Sequence, residues 1–195
     1  MKLDLAFPAF AVEPLPQDSG YILFAAISRL VPKLHEAKEV GIHPLRGRQI
    51  ASRLLALTNT SNLTLRIDDR EITLAFPLSG QMLSVGGKSI QLGVPRLFPL
   101  IAAPALRSRL VTIKGMIAPD LFADAVRRQL ADSDVEADVT VVLGKRRTLR
   151  IRHKEIVGFE VLLEGLSAAE SIAVQERGIG GRRHMGCGVF SPFRA

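Results

Sequence analysis

The strongest constraint on this chain is a change of hydrophobic period, from two to about 3.6 and back, which runs through it twice. Lys2 to Phe7 alternates as KLDLAF, a half-buried strand ending at Pro8. A helix capped by Asp18 or Ser19 starts near Gly20, with Leu23, Ala26, Ile27, Leu30 and Leu34 on one stripe. Pro32 interrupts that stripe, because it lacks the N–H that would bond Ser28, so the helix kinks or stops near Val31. A polar loop follows through Lys38, Gly41, Pro44 and Gly47. Leu63 to Ile67 alternates again, Asp68-Asp69 opens a short helix ending before Pro77, and Gln81 to Leu92 is a hairpin turning at Gly86-Gly87.

The second half repeats the theme. Leu106 to Lys114 is strand-like, and Pro119 suits the first turn of a helix reaching about Leu130. Val139 to Leu143, Thr148 to Arg152 and Ile156 to Leu163 are three strand candidates. Ser167 and Glu170 form a capping-box pattern for a helix ending at Gly178, and Val189-Phe190 is a last short strand. Each half therefore reads β-α-β-β-α-β. The expected class is α+β, two tandem ferredoxin-like domains spanning 1–95 and 96–195, divided where Pro95, Pro99 and Pro104 cluster.

Composition removes several alternatives. The 195 residues hold 47% apolar side chains, enough for packed cores, and no apolar run reaches the length of a membrane span. No signal-peptide pattern opens the chain, and Cys187 is its one cysteine, so the expectation is a soluble, cytoplasmic protein with no membrane partner. Without Cys-x-x-Cys, His-Glu-x-x-His or a carboxylate cluster, a tight transition-metal site is not expected. P-loop and Gly-x-Ser-x-Gly signatures are also missing.

The charge points to a polyanion. The formal charge is +7, and most of the surplus lies after Pro95 in two clusters. Gly144 to Lys154 reads GKRRTLRIRHK, which assigns Lys145, Arg146, Arg147, Arg150 and Arg152 to nucleic-acid binding over the alternative of a solvated strand. Gly178 to Gly188 reads GIGGRRHMGCG. Gly178 can end a helix, Gly180-Gly181 permits close backbone approach, and Arg182, Arg183 and His184 with exposed N–H groups can hold a phosphate backbone. A helix precedes this loop and a strand follows it, which is not the dinucleotide order. Cys187 between glycines reads as a small buried thiol. With one Tyr, no Trp and most of the nine Phe assigned to cores, a base-stacking platform is not expected. Phosphates and groove edges of a structured RNA suit this charge better.

GIGGRRHMGCGVF resembles the C-terminal glycine loop of the CRISPR-associated RAMP proteins. YILFAAISRLVPKLHEAKEVGIHPLRG and GFEVLLEGLSAAESIAVQERGIGG are similar to the repeat-processing branch, the sixth Cas family in its myxan-type form. That resemblance implies tandem ferredoxin-like domains and a metal-independent endoribonuclease without cofactors. Its partners would be CRISPR precursor RNA, the mature crRNA hairpin and other subunits of a type I effector complex. The implied reaction is attack of a 2′-OH on phosphorus, leaving a 2′,3′-cyclic phosphate and a 5′-OH. RAMP folds also serve as non-catalytic RNA-binding subunits of effector complexes, and the glycine loop does not separate the two.

The resemblance places a catalytic histidine just after the first helix, in a Leu-His context that here is Leu34-His35. Imidazole titrates near neutrality and suits proton transfer. His35 would close a kinked helix or open a new turn after Pro32, and the sequence does not choose. His43, in the stiff loop Gly41 to Gly47, is the rival that can assist His35, replace it or bind RNA. Arg46 and Arg48 are placed to meet a phosphate, with a solvated loop as the equal alternative. Tyr21 sits too far along the helix to partner His35, and His153 belongs with the basic cluster.

Overall fold

The computed structural model describes residues 1–37, 39–133, 135 and 138–194. It divides into two compact units, Met1–Pro99 and Leu100–Ala195. No helix among the described residues is long and apolar enough to cross a membrane.

The first unit contains β1 (Lys2–Phe10), β2 (Leu15–Pro16), α1 (Gly20–Leu30), α2 (Pro32–Glu36), β3 (Gly41–Ile42), β4 (Arg48–Ala51), β5 (Leu54–Ala56) and β6 (Asn62–Asp68). A 3-10 helix, Asp69–Leu78, then leads to β7 (Met82–Val85), β8 (Lys88–Leu92) and β9 (Arg96–Pro99). The main sheet runs β3-β6-β1-β8-β7, with β9 also beside β1, and every pairing is antiparallel. Leu5 and Phe7 on β1 meet Leu65 and Leu63 on β6, and Leu23 and Ile27 of α1 are buried with them in the unit's core. This is the expected ferredoxin-like order, with the 3-10 helix standing in for the second α-helix.

Pro8 does not end β1. It pairs with Asn62, and its carbonyl accepts the Gly93 N–H at 2.8 Å, so the missing donor interrupts only one ladder bond. The 3-10 helix likewise runs through Pro77.

The loop expected through Gly47 also holds structure, since β2, β5 and β4 form a small separate sheet. All four residues of β4 are exposed, so no buried face leaves a period-two signal in the sequence. Gly47 seats this arm, because a Cβ there would lie 2.3 Å from the Ala56 carbonyl oxygen.

The second unit contains β10 (Ala105–Val111), α3 (Pro119–Ala131), β11 (Thr140–Ile151), β12 (Lys154–Glu164), α4 (Ala168–Arg177), a short 3-10 turn (Arg183–Met185) and β13 (Ser191–Pro192). Its sheet order, β11-β12-β10-β13, is the complete ferredoxin-like arrangement. Phe122, Val126 and Leu130 of α3 and Val174 of α4 pack on Leu106, Phe159, Val161 and Leu163. The capping box forms as read: Ser167 Oγ accepts the Glu170 N–H, and Glu170 accepts the Ser167 N–H at 2.8 Å.

Two expected strands, 139–143 and 148–152, are one strand, β11, because a bulge between Leu143 and Arg146 carries the pairing across Gly144. The last strand lies at Ser191–Pro192, directly after the buried Val189-Phe190. The division between the units falls after Pro99, within the proline cluster, because Arg96–Pro99 adds a strand to β1. That strand is exposed throughout and leaves no alternation to read.

Candidate active site and nucleic-acid interface

Pro32 decides the local structure around His35. The Val31 N–H still bonds Ile27 at 2.8 Å, closing α1, and Pro32 then occupies the first turn of the new helix α2. Of the two sequence alternatives, the chain takes the new turn. Leu34 is buried and anchors α2, which turns the next residue, His35, toward solvent. The His35 ring stacks on Phe24 of α1 with centroids 5.3 Å apart and planes 15° apart. An exposed imidazole is thus held in orientation by an aromatic face.

His43 sits in a different environment. Its N–H bonds the Thr64 carbonyl at 2.9 Å, extending β3 by one residue, and its Nε2 lies 3.3 Å from Asp4 Oδ1. Asp4 on β1 and Arg66 on β6 are cross-strand partners, and the guanidinium grips the carboxylate with bonds of 2.8 and 2.9 Å. Burial pushes the His43 ring below its ordinary pKa. The Arg66 and Arg46 charges add to that shift, and the Asp4 carboxylate opposes it. Burial alone would raise Asp4. Its bonds to His43 and Arg66 outweigh this and hold the carboxyl below the usual carboxylate range. Asp4 and Arg66 gave no functional signal in the sequence, where both occupy polar positions of alternating strands.

Arg46 and Arg48 meet across Gly47 in a cleft of about 340 Å³ that is completed by Thr58 and Thr60. Ser61 ties two of these segments together, donating to the Arg46 carbonyl at 2.7 Å and accepting the Thr58 N–H at 2.8 Å. The two threonines went unnoticed in the sequence because isolated hydroxyls there look like ordinary turn residues.

In the second unit, the basic cluster occupies one long hairpin. Lys145, Arg146, Arg150 and Arg152 are exposed along β11 and its turn, with Arg152 in the left-handed conformation at φ 53°. Arg147 differs. Its Nη2 lies 3.2 Å from Glu160 Oε2, and Arg107, stacked on Phe193, pairs with the other carboxylate oxygen. The structure therefore gives Arg147 a carboxylate partner on the sheet.

The glycine loop is braced from within. Gly180 at φ 76° donates its N–H to Gln129 of α3 at 2.7 Å, and Gly181 donates to the Thr112 carbonyl at 3.0 Å. Ile179 N–H bonds Gly188 O at 3.3 Å, and Gly188 N–H bonds Leu110 O at 2.8 Å. N–H groups expected to face a phosphate at Gly180 and Gly181 are thus committed inside the unit. A Cβ on Gly180 would lie 2.4 Å from the Thr112 oxygen, whereas one on Gly181 would meet nothing within 4 Å. The close approach expected of this pair is made by Gly180 to its own chain.

Arg182, in the left-handed region at φ 65°, lies in the braced loop beside Arg183 and His184, all three half-buried. Arg182 Nη1 donates to Thr112 Oγ1 at 3.4 Å, and Arg183 Nη1 donates to the Arg177 carbonyl. Cys187 is fully buried with Leu110 and Leu149, and Met185, Ile151 and Ile156 pack on that cluster. The cluster fastens the glycine loop to the basic hairpin, bringing together the two positive segments that the sequence separates.

The described residues thus form two ferredoxin-like units, the second carrying a basic hairpin tied to a glycine loop. The family model described as Cas6 Crispr matches residues 3–195. A CRISPR-associated endonuclease Cas6 of Myxococcus xanthus (strain DK1622) is 42% identical over 190 residues, 97% of this chain and 81% of that protein. The chain belongs to the Cas6 family of CRISPR-associated endonucleases.

Solved structures share the fold. One described as an RAMP protein binding different RNA substrates has a TM-score of 0.74 at 16% identity, covering 98% of this chain and all of that one. A Cas6-related protein from Pyrococcus furiosus has a TM-score of 0.72 at 13% identity, covering all of this chain and 99% of that one.

Proposed function

We propose that this Cas6 family member cuts CRISPR precursor RNA within its repeats by internal transesterification and retains the crRNA hairpin, with His35 as the proton-transfer residue. The upstream 2′-OH attacks phosphorus and loses its proton as the O2′–P bond forms. The P–O5′ bond breaks, and the departing oxygen takes up a proton. One strand then ends in a 2′,3′-cyclic phosphate and the other begins with a 5′-OH, so neither water nor a metal ion enters the balance. The carrying observation is the exposed His35 imidazole, fixed on Phe24 in the Leu34-His35 context. A positioned imidazole accelerates such a transfer by roughly 10² to 10⁴.

The hairpin of β11 and β12 supplies the grip, through Lys145, Arg146, Arg150 and Arg152, with Arg182, Arg183 and His184 of the braced loop beside it. His43 acts as a structural residue in this reading, because its ring is buried against Asp4. The protein works in the cytoplasm, where its RNA is made.

Incubating the protein with a cognate repeat RNA in EDTA tests the assignment. One cut per repeat, abolished by His35→Ala with RNA binding retained, is the expected result. A 2′-deoxy sugar upstream of the scissile phosphate leaves the substrate intact. Full activity in His35→Ala moves the role to His43. Tight binding of several repeat RNAs without any cut would mark a non-catalytic RNA-binding subunit of an effector complex.

A further inference from the structure

Between Glu39 and Asp68 the chain contains no acidic residue, yet it carries Arg46, Arg48, Arg53 and Arg66. Averaging charge over the N-terminal half hides this stretch, because carboxylates at either end of it balance the sum. The fold separates the four arginines. Arg66 is buried on Asp4, whereas Arg46, Arg48 and Arg53 are exposed, and among the described residues no carboxylate lies within ion-pair distance of those three. They sit on the arm built from β4 and β5, an addition to the ferredoxin-like frame between β3 and β6.

Three properties of the arm converge on one ligand. Its base is the cleft in which the Arg46 and Arg48 segments face the hydroxyl-bearing residues Thr58 and Thr60, with Gly47 leaving bare backbone between the arginines. Two arginines with no carboxylate in ion-pair distance among the described residues, beside two threonine hydroxyls 3.0 Å apart, match a phosphodiester anion. The strands above it expose apolar side chains, Ile50 at 45% and Leu54 at 38%. A duplex hides its base faces in the stack, so exposed aliphatic groups beside a phosphate site favour an unpaired strand. Arg53, in the left-handed conformation at φ 62°, adds a third positive charge at the turn.

We propose that this arm is a second RNA-contact surface that takes the single-stranded segment flanking the repeat hairpin. One backbone phosphate is seated among Arg46, Arg48, Thr58 and Thr60, and bases lie against Ile50 and Leu54. The inference rests on the RNA-processing reading above and adds to it where the flank is held.

The test measures what the flank contributes. Full-length protein is titrated by fluorescence anisotropy with a repeat hairpin carrying a uridine flank and with the same hairpin trimmed of it. Both RNAs are blocked by a 2′-deoxy sugar at the cleavage position. The flank is expected to tighten binding by about tenfold at low salt and to steepen the salt dependence, by a slope of roughly 0.7 per phosphate engaged.

In an Arg46→Gln/Arg48→Gln double variant the flanked-to-trimmed ratio collapses to near one and the extra slope disappears. Thr58→Val/Thr60→Val reduces the same ratio by about threefold, consistent with loss of hydrogen bonds worth about 0.6 kcal/mol. Thermal melts accompany each variant, and because the changed side chains line a surface cleft the fold is expected to survive. A native ratio near one, or an Arg46→Gln/Arg48→Gln ratio equal to the native one, overturns the arm while leaving the hairpin grip standing. Failure of the native protein to bind even the trimmed hairpin overturns the RNA-processing reading, and the arm with it.

Discussion

The two units follow the same strand order but place their functional groups on opposite kinds of structure. In the C-terminal unit, β11 and β12 are long, regular strands, and their arginines project from a paired hairpin. In the N-terminal unit the corresponding edge strand, β3, has two residues, and chemistry gathers on what surrounds it: a five-residue helix, a buried ion-pair network and an added arm. A long edge hairpin offers repeated charge along a rigid ribbon, which suits a backbone grip. Short irregular segments can each fix one group in one orientation, which suits chemistry. Under the proposed roles, turnover rests on His35 in the first unit and the hairpin grip on the arginines of the second.

His35→Ala tests that division most severely. Cleavage in single-turnover assays should fall by roughly 10² to 10⁴, whereas Arg150→Ala should mainly weaken binding. Equal losses of the chemical rate in the two variants would break the division.

The glycine loop supplies the next largest effect. Gly180→Ala places a Cβ against the Thr112 carbonyl at a positive φ, and urea unfolding should show a loss of about 2–4 kcal/mol. Gly181→Ala meets open space and should stay within about 0.5 kcal/mol of the native protein. Similar costs at both positions would mean that the loop is not the internal brace its hydrogen bonds describe.

Glu160→Gln sharpens the account of the C-terminal sheet. It removes the shared carboxylate of Arg107 and Arg147, with an expected loss of about 1 kcal/mol, since both pairs are partly open to water. RNA binding should tighten and become more salt-dependent as both guanidiniums are released. Weaker binding would show that Glu160 positions Arg147 for RNA.

The smallest expected effect is a pH dependence confined to the N-terminal unit. With the folded His43 ring below its ordinary pKa, the unfolded chain binds a proton near pH 6.5 that the native protein refuses. Stability should therefore decline as pH falls below about 6.5, and His43→Gln should flatten that decline. The Asp4 contribution has the same sign at lower pH. It is present above about pH 3.9 and is lost as pH falls through the depressed native value. A decline that persists unchanged in His43→Gln would place the acid sensitivity elsewhere.

Legibility followed burial. KLDLAF, LTLRI and the Ser167–Glu170 box appear where expected because one face of each is buried or capped, and burial imposes a period on the residue types. β4 and β9 were unreadable because they are exposed along their whole lengths and held by backbone pairing. Among the candidate residues, the exposed arginines of β11 were legible through their density, and His35 as a candidate only through the resemblance of its Leu-His context. Asp4, Arg66, Thr58 and Thr60 were not, because each is an ordinary polar residue until a partner far away in sequence reaches it.

By itself the sequence determined the doubled α+β order, the position of the basic ribbon and the break in the first helix at Pro32, since period, charge density and proline chemistry act over a few residues, whereas the structure chose the new turn that carries His35. Tertiary structure alone decided that Gly180 and Gly181 spend their N–H groups inside the unit, that Arg147 has a carboxylate partner, and that Arg46 and Arg48 share a cleft with Thr58 and Thr60. Those outcomes depend on which groups meet across sheets and loops, and hydrogen bonds and ion pairs are set by ångström distances between such groups.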